Sequence, residues 1–381
     1  MSLSLRVRGL LGPGLLLAVI GWAPVLEGQE DGGDDWSNAE SVLDRQAMRA
    51  VAAGLDWLKE HQNADGSWSG DVGFKLNQEY EVERTDKPHV GVTALAGMAF
   101  LAGGHLPGRG RYGATISGAT EFILNCVDDT SGFVAQHGTR MYSHAFATLF
   151  LAEVVGMTQR TDVREKLQKS VDLIVKSQNR FGSWRYEPFA VESDMSITVC
   201  QLMALRAARN IGIKVPRSTI DRAVRYVQSS YVQEDETNYF MYHDGYYFLR
   251  RGSFRYQKQD NTRSSFALTA AGITSLYNAG VYSDERLRES LGVLDQSFHL
   301  LEGRQTHYFY WYGHYYAVQA MYVAGDPYWT RYYRRIRQDL LSAQHRDGKW
   351  ENKTGPGNAF GTAIAAIILQ VPYKYLPILQ R

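Results

Sequence analysis

Leu58-Lys59-Glu60-His61-Gln62-Asn63-Ala64-Asp65-Gly66-Ser67-Trp68 returns as Ile174-Val175-Lys176-Ser177-Gln178-Asn179-Arg180-Phe181-Gly182-Ser183-Trp184, and again as Leu340-Leu341-Ser342-Ala343-Gln344-His345-Arg346-Asp347-Gly348-Lys349-Trp350. In each copy an amphipathic helix ends at the Gln, a polar residue and a Gly make a tight turn, and a Trp stands six residues beyond the Gln. Glycine adopts the left-handed backbone that closes a helix without steric cost, and tryptophan brings a large apolar anchor. The element reads as a staple between helical units. Its glutamine is expected to cap the start of a neighbouring helix.

After each staple, or a weaker version of it, comes a segment that is apolar nearly all round and rich in small residues. There are six: Val92–Leu101, Tyr142–Val155, Ser196–Ala208, Ser265–Tyr277, His314–Ala324 and Phe360–Leu369. Their starts recur at roughly 50 residues, with one longer gap before the fourth, and such a period marks a repeat array. Each is preceded by a helix with one apolar face, as in Leu43/Ala47/Val51/Leu55/Leu58, Ile116/Ala119/Phe122, Val163/Leu167/Val171/Ile174 and Leu287/Leu291/Leu294/Phe298. A helix apolar on every side must be buried on every side, whereas a one-faced helix can sit outside it. The expected fold is therefore all-α, an α/α toroid made of about six helical hairpins in a closed double ring. An open solenoid is the alternative, but its terminal repeats would need polar caps, and here the first and last units carry the best staples.

These repeated Gln-x(3-4)-Gly-x-Trp elements, each following a helix, resemble the prenyltransferase and squalene-cyclase repeat family. The resemblance covers Leu43 to Gln370 and implies a toroid with a central cavity. It also implies isoprenoid chemistry, but the family's chemical motifs are missing. There is no Asp-x-Asp-Asp run to start a cyclisation by protonation, no Asp-x-Cys element for zinc, no Asp-Asp-x-x-Asp for magnesium and no cysteine thioester. No cofactor and no metal are expected.

The chain is long enough for a large core, with 381 residues of which 44% are hydrophobic, and the single repeat argues for one toroid domain over 41–381. A net charge of +1 and the lack of a basic stripe give no reason to expect nucleic acid. Arg6 and Arg8 precede an apolar stretch from Leu10 to Leu26, so residues 1–28 read as a signal peptide or an N-terminal anchor, followed by an acidic linker over 29–40. The protein is thus expected to be exported, with membrane association through that segment. Cys126 and Cys200 fall in different rings of the array, a pattern of buried thiols without a disulfide.

In such a toroid the inner helices point their N-termini at one mouth, where their dipoles add positive partial charge. Aligning the six inner segments on their small and Met positions places Thr93, His144, Thr198, Tyr315 and Thr362 at one level, with Asp194 and His314 beside it. Aromatic residues crowd Tyr239–Tyr256 and His307–Tyr316. Asp194, His144 and His314 are the candidate catalytic groups, with Asp194 as a relocated acid, and Tyr142, Thr198, Trp311, Tyr312 and Tyr315 are the candidate ligand contacts. The expected partner is an apolar small molecule or a protein. Three readings stay open: a terpene-cyclase or prenyltransferase type of enzyme, a non-catalytic binding or scaffold toroid, and a carbohydrate-active barrel. The last normally needs two carboxylates facing one cleft, and beyond Asp194 and Asp244 no convincing second acid is found.

Overall fold

The computed structural model describes residues 45–76, 79–234, 247–248, 250–257, 263–305, 307 and 309–376. The signal segment, the acidic linker, and Tyr239 to Tyr246 with His243 and Asp244 lie outside the described residues. Helices alternate between an outer and an inner ring in six pairs: α1 (Arg45–Glu60) with α2 (Val90–Ala102), α3 (Gly113–Asn125) with α4 (Met141–Met157), α5 (Thr161–Lys176) with α6 (Met195–Asn210), α7 (Arg217–Ser229) with α8 (Phe266–Asn278), α9 (Glu285–Gln296) with α10 (Tyr310–Ala324), and α11 (Tyr328–Ala343) with α12 (Asn358–Gln370). Every described residue of α2 and α8 is buried, while α1 and α7 bury one stripe. This is the division that the apolar patterns predict.

Each inner helix packs on the next, and α12 packs back on α2 and α1, so the double ring is closed. Small residues set the spacing. A Cβ on Gly97 would lie 2.5 Å from the Phe150 ring, and one on Gly272 would lie 2.5 Å from Phe254. Among the described residues no helix is long and apolar enough to cross a membrane.

The staples hold the units by a repeated set of bonds. Trp68, Trp184 and Trp350 donate Nε1–H to Leu58, Ile174 and Leu340 carbonyls at 2.7, 2.8 and 2.8 Å, tying each loop to the helix that ended before it. The glutamines act on neighbouring carbonyls, not on free N–H groups as a cap would. Gln62 Nε2 donates to Thr115 O at 2.8 Å, Gln178 Nε2 to Thr219 O at 2.9 Å and Gln344 Nε2 to Ala50 O at 2.8 Å. The last of these links the final unit to the first outer helix. A helical carbonyl has a second lone pair, which leaves room for this extra donor.

Three further turns repeat the geometry without the tryptophan. Gly132, Gly252 and Gly303 have φ of 77°, 89° and 66°, as Gly66, Gly182 and Gly348 have 88°, 84° and 98°. Val134, Phe254 and Gln305 stand where the Trp stands, two residues after the Gly. The sequence pattern left two hairpins unassigned. β1 (Ser69–Leu76) and β2 (Glu79–Pro88) pair antiparallel between the first staple and α2, and β3 (Tyr247–Phe248) pairs with β4 (Ser264–Ser265) just before α8. Alternation at Val72/Phe74/Leu76 and Tyr80/Val82 carries the signal for the first. It reaches across the inner-helix N-termini: Asp71 N–H bonds Pro356 O at 3.2 Å, and Arg140 pairs with Glu83 at 3.2 Å.

Candidate functional site

The polar level in the inner helices belongs to the staples. Thr93 and Thr362 accept the backbone N–H of Trp68 and Trp350, each at 3.0 Å. Thr198 does the same for Trp184 at 3.4 Å, bonds Ser183 Oγ at 2.7 Å, and donates to Asp194 O at 2.7 Å. In the second unit an imidazole takes over this task, since His144 Nδ1 accepts the N–H of Val134 at 3.1 Å. His314 holds the corresponding place in α10, with Nδ1 against Tyr332 Oη at 3.0 Å in the outer ring and its ring among Phe266, Phe298 and Tyr310. By position the level is Thr93, His144, Thr198, Thr269, His314 and Thr362, with Thr269 donating to Ser265 O of its own helix at 2.9 Å. Tyr315 lies one residue on, turned by about 100° from it.

The expectation that His144, His314 and Thr198 converge on the mouth is corrected by these contacts. Burial pushes His144 down to about 4 and His314 down to about 3, so both imidazoles are neutral at pH 7. A group that far below the working pH is a poor general acid or base there. Both side chains are better explained as anchors.

Asp194 does stand at the inner-helix N-termini, as the N-cap of α6. Its Oδ1 accepts from Ser196 N–H at 2.8 Å, Ile197 N–H at 3.1 Å and Ser196 Oγ at 2.5 Å. Three donors on one oxygen make it a capping group. Oδ2 is buried and makes no hydrogen bond among the described residues. Ser196 passes the connection on, accepting Tyr142 Oη–H at 2.5 Å.

Around this cap four half-buried tyrosines form the mouth. Tyr186 and Tyr256 share a 2.5 Å hydroxyl contact, and Tyr142 packs on Tyr186 with ring centroids 6.3 Å apart and on Tyr312 at 6.4 Å, nearly perpendicular. Tyr312 Oη reaches Ser196 O at 3.4 Å. Burial, then the charge of Asp194, pushes Tyr186 up to about 12, and burial first also raises Tyr142 and Tyr256. All remain protonated donors. Arg185 and Arg263 lie over Tyr186 and Tyr256 at 5.2 and 4.9 Å. Tyr186, Tyr256 and Ser196 were not singled out in the sequence, yet Tyr186 and Tyr256 each stand two residues past a staple anchor, Trp184 and Phe254.

Helices α4 and α10 are opposite one another in the ring, so contacts between them cross its centre. Tyr142–Tyr312 is one such bridge, and Phe146–Tyr315, edge-on at 5.8 Å, is a second beneath it. Cys200 Sγ meets Tyr316 Oη at 3.0 Å between α6 and α10, and burial pushes that thiol up to about 12, which keeps it unreactive. Trp311 is buried beside Gly361, where an added Cβ would lie 3.3 Å from its indole. Aromatic rings thus floor the mouth. Of the eight candidate residues, Tyr142, Tyr312, Asp194 and, one layer down, Tyr315 gather there.

One further acid, Glu153, is buried in α4 near enough to Tyr315 for its charge to raise that hydroxyl, and the Asp128–Asp129 pair lies on the outside. A shallow groove of about 550 Å³ beside the Gly132 turn of the second unit is bordered by Asn125, Cys126, Asp128 and Gln136. Asp128 is occupied by the N–H groups of Thr130 and Ser131, while Asp129 pairs with Lys166 and Lys169. No cluster of three or more His, Cys, Asp or Glu suited to a metal occurs among the described residues.

Solved structures share this fold. An α-1,6-mannanase of the GH76 type from Salegentibacter sp. HEL1_6 aligns with a TM-score of 0.61 at 7% identity, over 86% of this chain and 99% of that one. A type II terpene cyclase from Scytonema aligns with a TM-score of 0.55 at 12% identity, over 90% of this chain and 99% of that one, and it is bound to geranylgeranyl dihydroxybenzoate. An α-amylase from Clostridium perfringens aligns at 0.57 with 9% identity, over 87% and 99%. At such identities the likeness is one of fold. No family model and no curated protein matches the sequence.

Proposed function

We propose that this α/α toroid is a binding protein that takes an apolar, isoprenoid-like molecule at the tyrosine floor of its mouth and does not transform it. One observation carries this reading: the hydroxyls of the floor bond to protein groups, Tyr142 to Ser196 and Tyr186 to Tyr256, so the surface offered to a ligand is chiefly ring. Ring surface favours apolar contact. The carboxylate at the mouth is the Asp194 cap, Glu153 is buried one layer down near Tyr315, and the buried histidines are neutral. The Scytonema cyclase supports the ligand class, because a toroid of this fold is bound there to a geranylgeranyl compound. Export through residues 1–28, with tethering where the segment is retained, belongs to the same proposal.

The second reading, a carbohydrate-active toroid, is favoured by the mannanase likeness. The inactive mannanase variant bound to α-1,6-mannotriose has two consecutive aspartates replaced. Here the consecutive pair Asp128–Asp129 is exposed in the second-unit turn, engaged as described above. Calorimetric titration of the purified protein with geranylgeraniol and with α-1,6-mannotriose, followed by mass spectrometry of both mixtures, separates the two. Binding of geranylgeraniol without a new product is expected. Binding or cleavage of mannotriose with no response to geranylgeraniol overturns the proposal.

A further inference from the structure

We infer that the loop between the third staple and α6 docks on a membrane, placing Phe181, Phe189 and Val191 in the headgroup region of an anionic phospholipid bilayer. The inference goes beyond both the tether at residues 1–28 and the ligand reading, and it depends on neither.

The loop is held so that its tip projects. Its base is closed by an antiparallel bridge, in which Asp194 N–H donates to Trp184 O at 3.1 Å. One limb is fixed to α4, since Met141 N–H donates to Tyr186 O at 3.0 Å. The other limb is tied to the staple turn by a single side chain: Asn179 Oδ1 accepts Phe181 N–H and Ser183 N–H, each at 3.0 Å, while its Nδ2 donates to Glu192 O at 2.8 Å and Ser193 Oγ at 3.2 Å. Phe181 and Val191 are thereby brought to one rim with Phe189. They are 41% and 73% exposed and Phe189 is 63% exposed, and Phe189 and Val191 are the most exposed large apolar side chains among the described residues. Phe189 also has φ of 64°, a left-handed backbone that Gly and Asn take readily and bulky residues seldom do. A loop that only connects two helices has no reason to hold an aromatic ring in water at such a position, and a strained, exposed apolar side chain points to a contact.

Charge around the rim names the occupant. Lys176 and Arg180 are exposed, Arg185 and Arg222 are half-buried, and none of the four forms an ion pair among the described residues. Arg180 lies over the Phe181 ring at 4.7 Å and Arg185 over Tyr186 at 5.2 Å, while Arg222 sits where its carbonyl meets the staple turn at Gly182. Of the acids nearby, Asp194 is the buried cap and Glu187 is taken by Arg140 at 3.2 Å, which leaves Glu192. Cations beside exposed apolar side chains match the phosphates and upper acyl chains of an anionic bilayer. A protein partner fits less well, because a stable protein interface takes about 20–30 residues from each side, whereas each apolar side chain that enters a bilayer is stabilised separately. Docked by this loop, the protein has its mouth at Tyr186 and Tyr142 against the membrane, where apolar molecules dissolve.

The test uses the full chain with phosphatidylcholine vesicles, with and without phosphatidylglycerol, and reads sedimentation together with amide hydrogen exchange of residues 180–192 by mass spectrometry. Exchange reports on the loop itself, so a tether through residues 1–28 does not imitate docking. Vesicles containing phosphatidylglycerol are expected to slow exchange in 180–192, and phosphatidylcholine alone to slow it less. Phe189→Asn combined with Val191→Ser is expected to reduce that protection about ten-fold, which corresponds to the burial of one large apolar side chain. Arg180→Gln is expected to reduce it about five-fold, and only on the anionic vesicles. Asparagine accepts the backbone of position 189, so a urea midpoint equal to that of wild type separates lost docking from lost folding. Sedimentation with unchanged exchange in 180–192 leaves the tether alone and overturns the inference, as does binding to neither vesicle. Equal protection on both vesicles overturns the anionic assignment. Protection that appears without lipid and grows with protein concentration gives the patch to a second copy of the chain and refutes membrane docking. The ligand titration is made without vesicles, so its outcome is independent of all of these.

Discussion

Replacing Gly348 by alanine tests the closed ring at its seam. Gly348 has φ of 98°, and a Cβ there would lie 2.4 Å from Ala53 O and 2.8 Å from Ala53 C, on the outer helix of the first unit. Two penalties follow. Holding alanine in a left-handed conformation costs about 1–2 kcal/mol, and forcing a methyl onto a backbone carbonyl adds about 1–3 kcal/mol through displaced structure. Gly280 separates them, since its φ is 85° but nothing lies within 4 Å of its Cβ. Gly280→Ala is therefore expected to show only the first penalty, and Gly348→Ala to exceed it by about 1–3 kcal/mol. Gly182→Ala supplies a reference from within the chain, because its Cβ would lie 2.4 Å from Arg222 O in the ordinary junction between neighbouring units. Urea unfolding at a common slope gives all three numbers. If Gly348→Ala unfolds like Gly280→Ala while Gly182→Ala is weakened, the last staple does not touch the first helix, and the ring is open.

The tryptophan anchors give a second expectation: Trp68→Ala, Trp184→Ala and Trp350→Ala each lose about 3–5 kcal/mol in the same assay, and three unchanged midpoints refute the staple. Acid sensitivity is a third. His144 and His314 are held below their unfolded value of about 6.5, so the folded state favours their neutral forms. Their contribution is fully present above that value and is lost as pH falls toward the folded values of about 4 and about 3. For His144 the loss approaches about 3 kcal/mol near pH 4. His314→Phe is expected to narrow the difference in melting temperature between pH 7 and pH 4.5, and an unchanged difference counts against a buried neutral imidazole. Fourth, both cysteines are free, Cys200 buried and Cys126 half-buried. Iodoacetamide is expected to modify Cys126 before Cys200 in the native protein and both after unfolding without reductant, whereas a mass two units low would reveal a bridge.

The fold was legible because its signals are periodic. Inner and outer helices differ in how much of their circumference is apolar, and this shows in any window of a dozen residues. Val92–Leu101 and Phe360–Leu369 fall within the observed α2 and α12. The fifth inner helix starts at Tyr310, four residues before the expected His314, because Tyr310 to Gly313 read as an aromatic loop although tertiary burial makes them helix. The glutamines were assigned to a cap because the pattern shows a polar side chain at a junction and not which half of the peptide group it meets.

The site was less legible for a related reason. A level of the ring can be read from sequence, but the direction in which a residue points changes by about 100° with each step along a helix. An alignment that slipped by one residue in α10 exchanged His314, which turns outward to Tyr332, for Tyr315, which turns inward to Phe146. Bonding supplies a firmer register than size. The residues that accept a staple's backbone N–H are Thr93, His144, Thr198 and Thr362, and His314 holds the same place in α10, so the inward set must be counted from these five: two positions before gives Gly91, Tyr142, Ser196, Tyr312 and Phe360, and one or two after gives Phe146 in α4, Cys200 in α6, and Tyr315 and Tyr316 in α10. Polarity at the N–H-accepting positions secures the scaffold in four units, whereas polarity at the inward positions varies from unit to unit. Tyr142, Tyr312, Tyr315 and Cys200 have no counterpart of the same type in most units, and a repeat that needs only a scaffold has no reason to differ there. Whatever this toroid recognises is therefore written in the positions where its six units disagree.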